Sequence, residues 1–402
     1  LQRSKKNKKA AEKSQFYYEP EFIRTLEDVL KWLEKTTKKK GFFSPLTMLV
    51  YCTLYIIVYG ERSNGKTFAA LLCAIVRYFL YGDLFAYVRR WDEDFKPKVI
   101  RRLFGGLEKT GVISYLSGGQ YDHIVCTSRM FYLASYDDDG KEVIEAQPIG
   151  FCFALTQMEH DKGGTYPPNV TTIILDEFMT RGMYLPDEIA LFANVISTVV
   201  RDDGEAKIWM LGNTVSRYCP YFREMGLRHI RDMQPGDIQE YSGTRKDCTI
   251  VVHYADGLPE GKATDKYFAF DNPKLEMITE GKFETAIYPH LPFDISEAEK
   301  VYTFFVWFFD DLLRGDVIVH GDCEIIFFTP KTTELKYPDE DLIYSNRDDP
   351  RPNWRRRITR PMTPAERAIL DLIRAEKVFY LDNECGEVIR TYMQWCLAEK
   401  VT

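Results

Sequence analysis

Between residues 55 and 215, short apolar runs alternate with stretches of helical periodicity. Tyr55-Ile56-Ile57-Val58-Tyr59 reads as a buried strand, and Phe68 to Val76 is a run of good helix formers that Gly82 can stop. Leu84-Phe85-Ala86-Tyr87-Val88 predicts a second strand, Ile173-Ile174-Leu175 a third and Ile208-Trp209-Met210-Leu211 a fourth. The apolar stretch from Leu46 to Tyr59 is too short to span a membrane and reads as core strand. Strands separated by helical segments specify an α/β fold: an open parallel sheet flanked by helices, with any ligand lying beyond the carboxyl ends of its strands.

The pattern divides the chain into four parts. Residues 1–44 form an extension that opens with Lys5, Lys6, Lys8, Lys9 and Lys13 and closes with Lys38, Lys39 and Lys40. Between these lysines, Phe22, Leu26, Val29, Leu30 and Leu33 share one face of a helix that should dock on the main body. The lysines themselves suit either a solvated tail or a nucleic-acid backbone. Residues 45–255 carry the α/β pattern, and 256–295 form a linker or lid. In residues 296–402 the strands Val301 to Phe309, Val317 to Val319 and Cys323 to Phe328 suggest a meander. Helices over Pro364 to Lys377 and Glu384 to Lys400 complete a smaller α+β domain.

Composition narrows the class without deciding it. The chain has 402 residues, is 45% hydrophobic and 28% charged, and carries a formal charge of −7, so it has no generally basic coat and any nucleic-acid contact must be local. Nine cysteines without a Cys-x-x-Cys pair fit reduced thiols better than a zinc site or a disulfide scaffold.

The chemistry begins at Gly60-Glu61-Arg62-Ser63-Asn64-Gly65-Lys66-Thr67, a complete phosphate-binding loop set between a strand and a helix. Its backbone N–H groups, with Gly60, Arg62, Asn64 and Gly65, would cradle the phosphates of ATP. Lys66 would reach the β- and γ-phosphates, and Thr67 would ligate Mg²⁺. Asp176 and Glu177 end the third strand. Asp176 suits the second magnesium-binding position and Glu177 the polarisation of water, with Leu84 to Val88 available as the intervening strand. Asn213, after the fourth strand, is either a γ-phosphate sensor or an Asx turn. Arg201 ends a helix starting near Pro186-Asp187-Glu188, with Ile189, Phe192 and Ile196 on one face. It either complements that helix's dipole or serves as an arginine finger in a neighbouring subunit. Lys162 is a trans-acting cation or a solvated loop lysine.

Two basic clusters remain. Arg89, Arg90, Lys96, Lys98, Arg101 and Arg102 are interleaved with Asp92, Glu93 and Asp94 and read as a surface ion-pair face. Arg351, Arg355, Arg356, Arg357 and Arg360 surround Trp354 with few intervening acids, which fits nucleic acid, an acidic partner or solvent.

The blocks Gly60 to Thr67, Tyr87-Val88-Arg89-Arg90, Tyr166-Pro167-Pro168-Asn169-Val170 leading into Ile174-Leu175-Asp176-Glu177-Phe178, Thr198-Val199-Val200-Arg201, Leu211-Gly212-Asn213 and Pro220-Tyr221-Phe222 together resemble the genome-packaging ATPases of phi-29-like bacteriophages. The resemblance runs from about Pro45 to Phe222. It implies an additional-strand, catalytic-glutamate (ASCE) ATPase that uses ATP and Mg²⁺. Such an enzyme assembles as a homo-oligomeric ring, usually of five subunits, on the portal of a procapsid in the bacterial host cytoplasm and drives double-stranded DNA inward. It also implies Walker B and catalytic roles for Asp176 and Glu177, and trans-acting roles for Arg201 and Lys162. The second domain would be similar to a ribonuclease-H-like fold without cutting activity. A packaging RNA, where one is used, would meet the arginines around Trp354, and Arg181, in the loop after Glu177, is a candidate DNA contact. A terminase with an active nuclease and a phosphate-loop small-molecule kinase are the competing functions.

Overall fold

The computed structural model describes residues 19–37, 43–61, 64–158, 166–167, 169–180, 184–185, 187–200, 206–214, 219–243, 249–255 and 288–398. The chain divides into two compact units, Leu1–Phe283 and Glu284–Thr402.

In the first unit, ten strands among the described residues form one sheet. They are β1 (Tyr55–Gly60), β2 (Leu84–Arg89), β3 (His123–Thr127), β4 (Met130–Tyr136), β5 (Glu142–Ile144), β6 (Gly150–Ala154), β7 (Val170–Asp176), β8 (Lys207–Asn213), β9 (Ile238–Ser242) and β10 (Thr249–Ala255). Their spatial order is β3-β4-β6-β2-β7-β8-β1-β10-β9, with β5 beside β4. The six strands from β6 to β10 run parallel. Antiparallel strands close both edges, β4 against β6 and β9 against β10. All four strands read from the sequence are present, and the open α/β sheet is the observed architecture.

Three details differ from the sequence expectation. The run from Leu46 to Tyr59 is not one strand. Leu46–Leu49 is a helical turn started by Pro45, and the chain turns through Cys52 at φ 49° before β1 begins. The strand between the phosphate-loop strand β1 and the acid-bearing strand β7 is β8, not Leu84 to Val88, which lies on the far side of β7. The helix Glu188–Val199 buries Phe192, Val195 and Val199, while Ile189 and Ile196 are only partly covered.

Period-two alternation places the cores. Ile56, Val58, Phe85, Tyr87, Ile174, Trp209 and Leu211 face one side of the sheet, and Ile57, Tyr59, Ala86, Val88, Ile173, Leu175, Ile208 and Met210 the other. A parallel sheet covered on both faces needs apolar residues at every position, which is why these strands read as continuous hydrophobic runs. The helix Lys66–Tyr81 buries Ala69 to Val76 on all sides, since the sheet lies beneath it and the extension helix Pro20–Thr37 lies above. Phe22, Leu26, Val29 and Leu33 of the extension helix are buried as expected. Arg77 holds its start, pairing with Glu19 at 3.0 Å and with Asp83 at 2.6 Å.

In the second unit, β11 (Glu299–Phe308), β12 (Asp311–His320) and β13 (Cys323–Pro330) form the expected antiparallel meander. The remaining strands, β14 (Ile343–Ser345), β15 (Trp354–Arg355) and β16 (Val378–Tyr380), add parallel partners to give the order β15-β14-β11-β12-β13-β16. Helices Pro364–Arg374 and Asn383–Ala398 follow, and Phe308 of the sheet packs edge-on to Tyr392 of the last helix at 5.6 Å.

Candidate nucleotide site

The carboxyl edge of the parallel sheet gathers the predicted chemistry. Gly60 of β1 lies beside Asn213 of β8, Leu211 beside Asp176 of β7, and Leu175 beside Val88 of β2. Strand register alone therefore lines up the phosphate loop, Asn213, the acidic pair and Arg89 along one edge. Two glycines shape the loop. Gly60 has φ 154°, and a Cβ there would meet the Ala255 carbonyl oxygen at 2.5 Å. Gly65, at φ 90°, lets the chain turn directly into the helix that starts at Lys66.

Lys66 is buried, and its ammonium donates to the Glu61 carbonyl at 2.7 Å, the Gly60 carbonyl at 3.3 Å, Asn64 Oδ1 at 3.0 Å and Asn213 Oδ1 at 3.5 Å. Asn213 thus faces the loop lysine, the placement a phosphate sensor needs. Thr67 Oγ1 donates to Asp176 Oδ2 at 3.1 Å, joining the loop to the acid 109 residues away in sequence. Asn64 Nδ2 is buried and has no hydrogen-bond partner, and the first turn of the following helix has no side-chain cap. Buried donors aimed at a loop whose backbone suits phosphate, with a hydroxyl and a carboxylate side by side, fit a magnesium-bound triphosphate.

Sequence reasoning missed the next layer. Tyr87 Oη donates to Asp176 Oδ2 at 2.7 Å; burial, then the Asp176 charge, pushes the phenol well above its usual range, so it stays a donor. Arg89 and Arg90 are not a surface ion-pair face. Arg89 spans the acids, with Nη2 on Glu177 Oε2 at 2.8 Å, Nη1 3.6 Å from Asp176 and Nε on Asp94 at 3.3 Å. Burial works against its charge, but Asp176, Glu177 and Asp94 outweigh it and raise its pKa. Arg90, 7% exposed, forks onto Glu188, 3% exposed, through Nε and Nη2, both at 2.7 Å. The acids adjacent in sequence suggested a solvated face; the partners that bury Arg90 lie about ninety residues downstream and carry no local signal. Lys96, Lys98, Arg101 and Arg102 do remain exposed.

Glu177 adopts φ 56°, a left-handed conformation that costs a non-glycine residue roughly 1–3 kcal/mol and gathers at functional sites. Its N–H donates to Asp176 Oδ1 at 2.9 Å, and the next N–H, of Phe178, to the Leu211 carbonyl at 3.2 Å. Its carboxylate is 57% exposed and reachable by water. Arg62, Lys162, Arg181 and Arg201 lie outside the described residues.

In the second unit, three of the arginines around Trp354 are matched by acids. Arg351 pairs with Asp349 at 2.7 Å and Asp339 at 2.9 Å, Arg355 with Glu366 at 3.2 Å, and Arg356 with Asp348 at 2.6 Å. Acids do therefore intervene, two of them from just upstream and two from other segments. Arg347, Arg351 and Arg356 also lie over the rings of Trp307, Trp354 and Trp395.

Residues 37–231 match the family model of the Podovirus DNA encapsidation protein, Gp16. Over 191 residues the chain is 31% identical to the DNA packaging protein of Bacillus phage phi29, covering 46% of this chain and 50% of that protein. Residues 37–231 are thus similar to the phage DNA packaging proteins. The corresponding protein of Bacillus phage B103 is 29% identical over 184 residues, covering 45% of this chain and 50% of its own length. The chain spans about half the length of the curated relatives it matches. A chain of the solved bacteriophage Phi-29 viral genome packaging motor assembly superposes with a TM-score of 0.52 at 20% identity, covering 90% of this chain and 100% of that one, a likeness of fold. No helix among the described residues is long and apolar enough to cross a membrane.

Proposed function

We propose that the chain is a magnesium-dependent ATPase that drives double-stranded viral DNA through the portal of a preformed procapsid, working as a homo-oligomeric ring. The observation that carries this reading is the 3.1 Å bond from Thr67 to Asp176, which unites the phosphate loop with the acid-bearing strand in one site beside Lys66 and Asn213. Thr67 and Asp176 would hold Mg²⁺, which would neutralise charge on the transferred phosphoryl group and the departing diphosphate. Lys66 and the loop N–H groups orient the phosphates, Asn64 donates its amide, and Asn213 senses the γ-phosphate beside Lys66. Glu177 polarises the attacking water from its exposed position. Arg89 donates to one oxygen of that carboxylate, Oε2, and so orients it.

Arg201 follows the helix Glu188–Val199 and, with Lys162, is assigned to the neighbouring subunit's site, where a cation stabilises charge developing on the transferred group. Arg62 joins the phosphate-loop contacts and Arg181 the DNA contact. The meander β13-β12-β11 extended by parallel strands β14 and β15 supports a ribonuclease-H-like second unit. One of its acids is put to structural use, Asp316 being buried against Thr303 and Arg314, which supports a unit without a cutting centre; Asp310, 3.6 Å from Arg347, is exposed. The arginines around Trp354 remain a candidate nucleic-acid contact, weakened by their acid partners.

Mixing Arg201→Ala and Lys66→Ala subunits, each inactive alone, tests the ring. Partial recovery of DNA-stimulated hydrolysis and of packaging into procapsids is expected, because one subunit brings an intact pocket and the other an intact finger. No recovery in rings shown by mass measurement to be mixed would end the trans-acting assignment. Phosphorylation of a small acceptor without DNA would replace the motor with a kinase.

A further inference from the structure

The strained backbone at Glu177 is held by a device that none of the assigned roles includes. Arg90 reaches past its partner Glu188 to the two carbonyls that flank the left-handed turn: Nη1 donates to the Glu177 carbonyl at 3.3 Å and Nη2 to the Phe178 carbonyl at 2.9 Å. Glu188 is itself fixed from three sides. Its carboxylate takes both Arg90 bonds, the Leu185 N–H at 2.9 Å and the Tyr221 hydroxyl at 2.9 Å. Tyr184 closes the cluster, its ring 5.1 Å from the Arg90 guanidinium and its hydroxyl accepting the Thr180 N–H at 3.2 Å. Burial pushes the Tyr221 phenol well up, with the Glu188 charge adding to it, so the hydroxyl stays a donor.

We propose that Arg90 and Glu188 form a positioning clamp that holds Glu177 in its left-handed conformation and couples the catalytic carboxylate to the helix Glu188–Val199. The physical case is geometric. A guanidinium has five donors in a fixed plane, so one group can bind a carboxylate and two backbone carbonyls at once; an ammonium cannot reproduce this fork. Glu188 opens the helix that leads toward Arg201, so a shift of that helix at a subunit boundary is passed to the turn carrying Glu177. The unfavourable φ of Glu177 gives the turn a reason to relax when the clamp loosens.

The proposal rests on the reading of Glu177 as the base, and the test separates the two. The full-length chain is compared as Arg90→Lys, Arg90→Gln, the apolar pair Arg90→Met with Glu188→Met, and each of these combined with Glu177→Gln. Arg90→Lys should lower kcat roughly 10- to 100-fold with KM for ATP within about twofold, because the base is misplaced while the phosphate loop is untouched. The apolar pair removes both buried charges together, should keep the chain folded, and should show the same kcat loss. On the Glu177→Gln background none of these changes should slow residual hydrolysis further, since a residue that acts only through Glu177 has nothing left to position. Unchanged kcat in Arg90→Lys, or an equal further fall on the Glu177→Gln background, overturns the clamp. Near-normal turnover of Glu177→Gln alone instead removes the base assignment.

Discussion

The two units handle their charges in opposite ways. In the first, Lys66, Arg89, Asp176 and Glu177 come from three segments and converge on one sheet edge, where Thr67 and Tyr87 share Asp176 and Arg89 reaches both acids. In the second, Arg351, Arg355 and Arg356 are satisfied by acids within fifteen residues, pair by pair. Convergent charges that remain reachable, as Glu177 does, can do chemistry; charges neutralised locally stabilise a loop or a surface. A parallel sheet produces the first arrangement because every strand delivers its last residue to the same edge. The second unit's arginines instead lie in and around the two-residue strand β15, and Asp339, Asp348 and Asp349 meet them from adjoining loops.

The contrast can be broken most directly at Glu177. Glu177→Gln should lower hydrolysis by roughly 10²–10⁴-fold while a fluorescent ATP analogue still binds, and Lys66→Ala should lose binding as well. Retained turnover in Glu177→Gln would make the convergent edge no more chemical than the paired surface.

A change in the second unit should fall on stability and spare turnover. Arg355→Ala leaves the buried Glu366 carboxylate with the Met362 N–H but without its cation. Thermal denaturation should show a loss of about 2 kcal/mol while ATP turnover per folded molecule stays within about twofold. A tenfold fall in turnover would mean that this pairing serves the proposed nucleotide site.

Tyr87→Phe sharpens the first half of the comparison. It removes one donor from Asp176 and no bulk, so KM for magnesium–ATP should rise about tenfold, with a smaller change in kcat. An unchanged KM would show that Thr67, Arg89 and the Glu177 N–H hold Asp176 without it.

The smallest effect is expected at Arg356, whose partner Asp348 is 84% exposed. Arg356→Ala should leave melting and DNA-free hydrolysis unchanged. If the cluster meets nucleic acid, the same substitution should reduce the salt slope of binding by about one. An unaltered slope would leave Arg356 as a solvated ion pair stacked on Trp395.

The legible part of the molecule is the part written in contiguous residues. The phosphate loop between strand and helix, the acids closing an apolar run, the meander and the docked extension helix all follow from local pattern, because backbone conformation and burial on a sheet or helix face are set by neighbours in sequence. Tyr87 stood within the second strand and Arg89 and Arg90 at its end, yet local acids pointed the two arginines to the surface. Their true partners, Asp176, Glu177 and Glu188, lie about ninety residues away, and β7 brings them next to β2.

The amino-acid sequence by itself determined the chemical inventory to which the proposed roles are given: a glycine-rich loop with a lysine between a strand and a helix, a threonine hydroxyl, and two adjacent carboxylates at the end of another strand. Only the tertiary structure decided which strand stands between β1 and β7, that Glu177 sits in a left-handed turn, and that one of two adjacent arginines grips its side chain while the other grips its backbone. The reason is physical. Side-chain direction on a strand alternates with each residue, so Arg89 and Arg90 leave the sheet on opposite faces, and what waits on each face is set by distant segments that no local pattern can name.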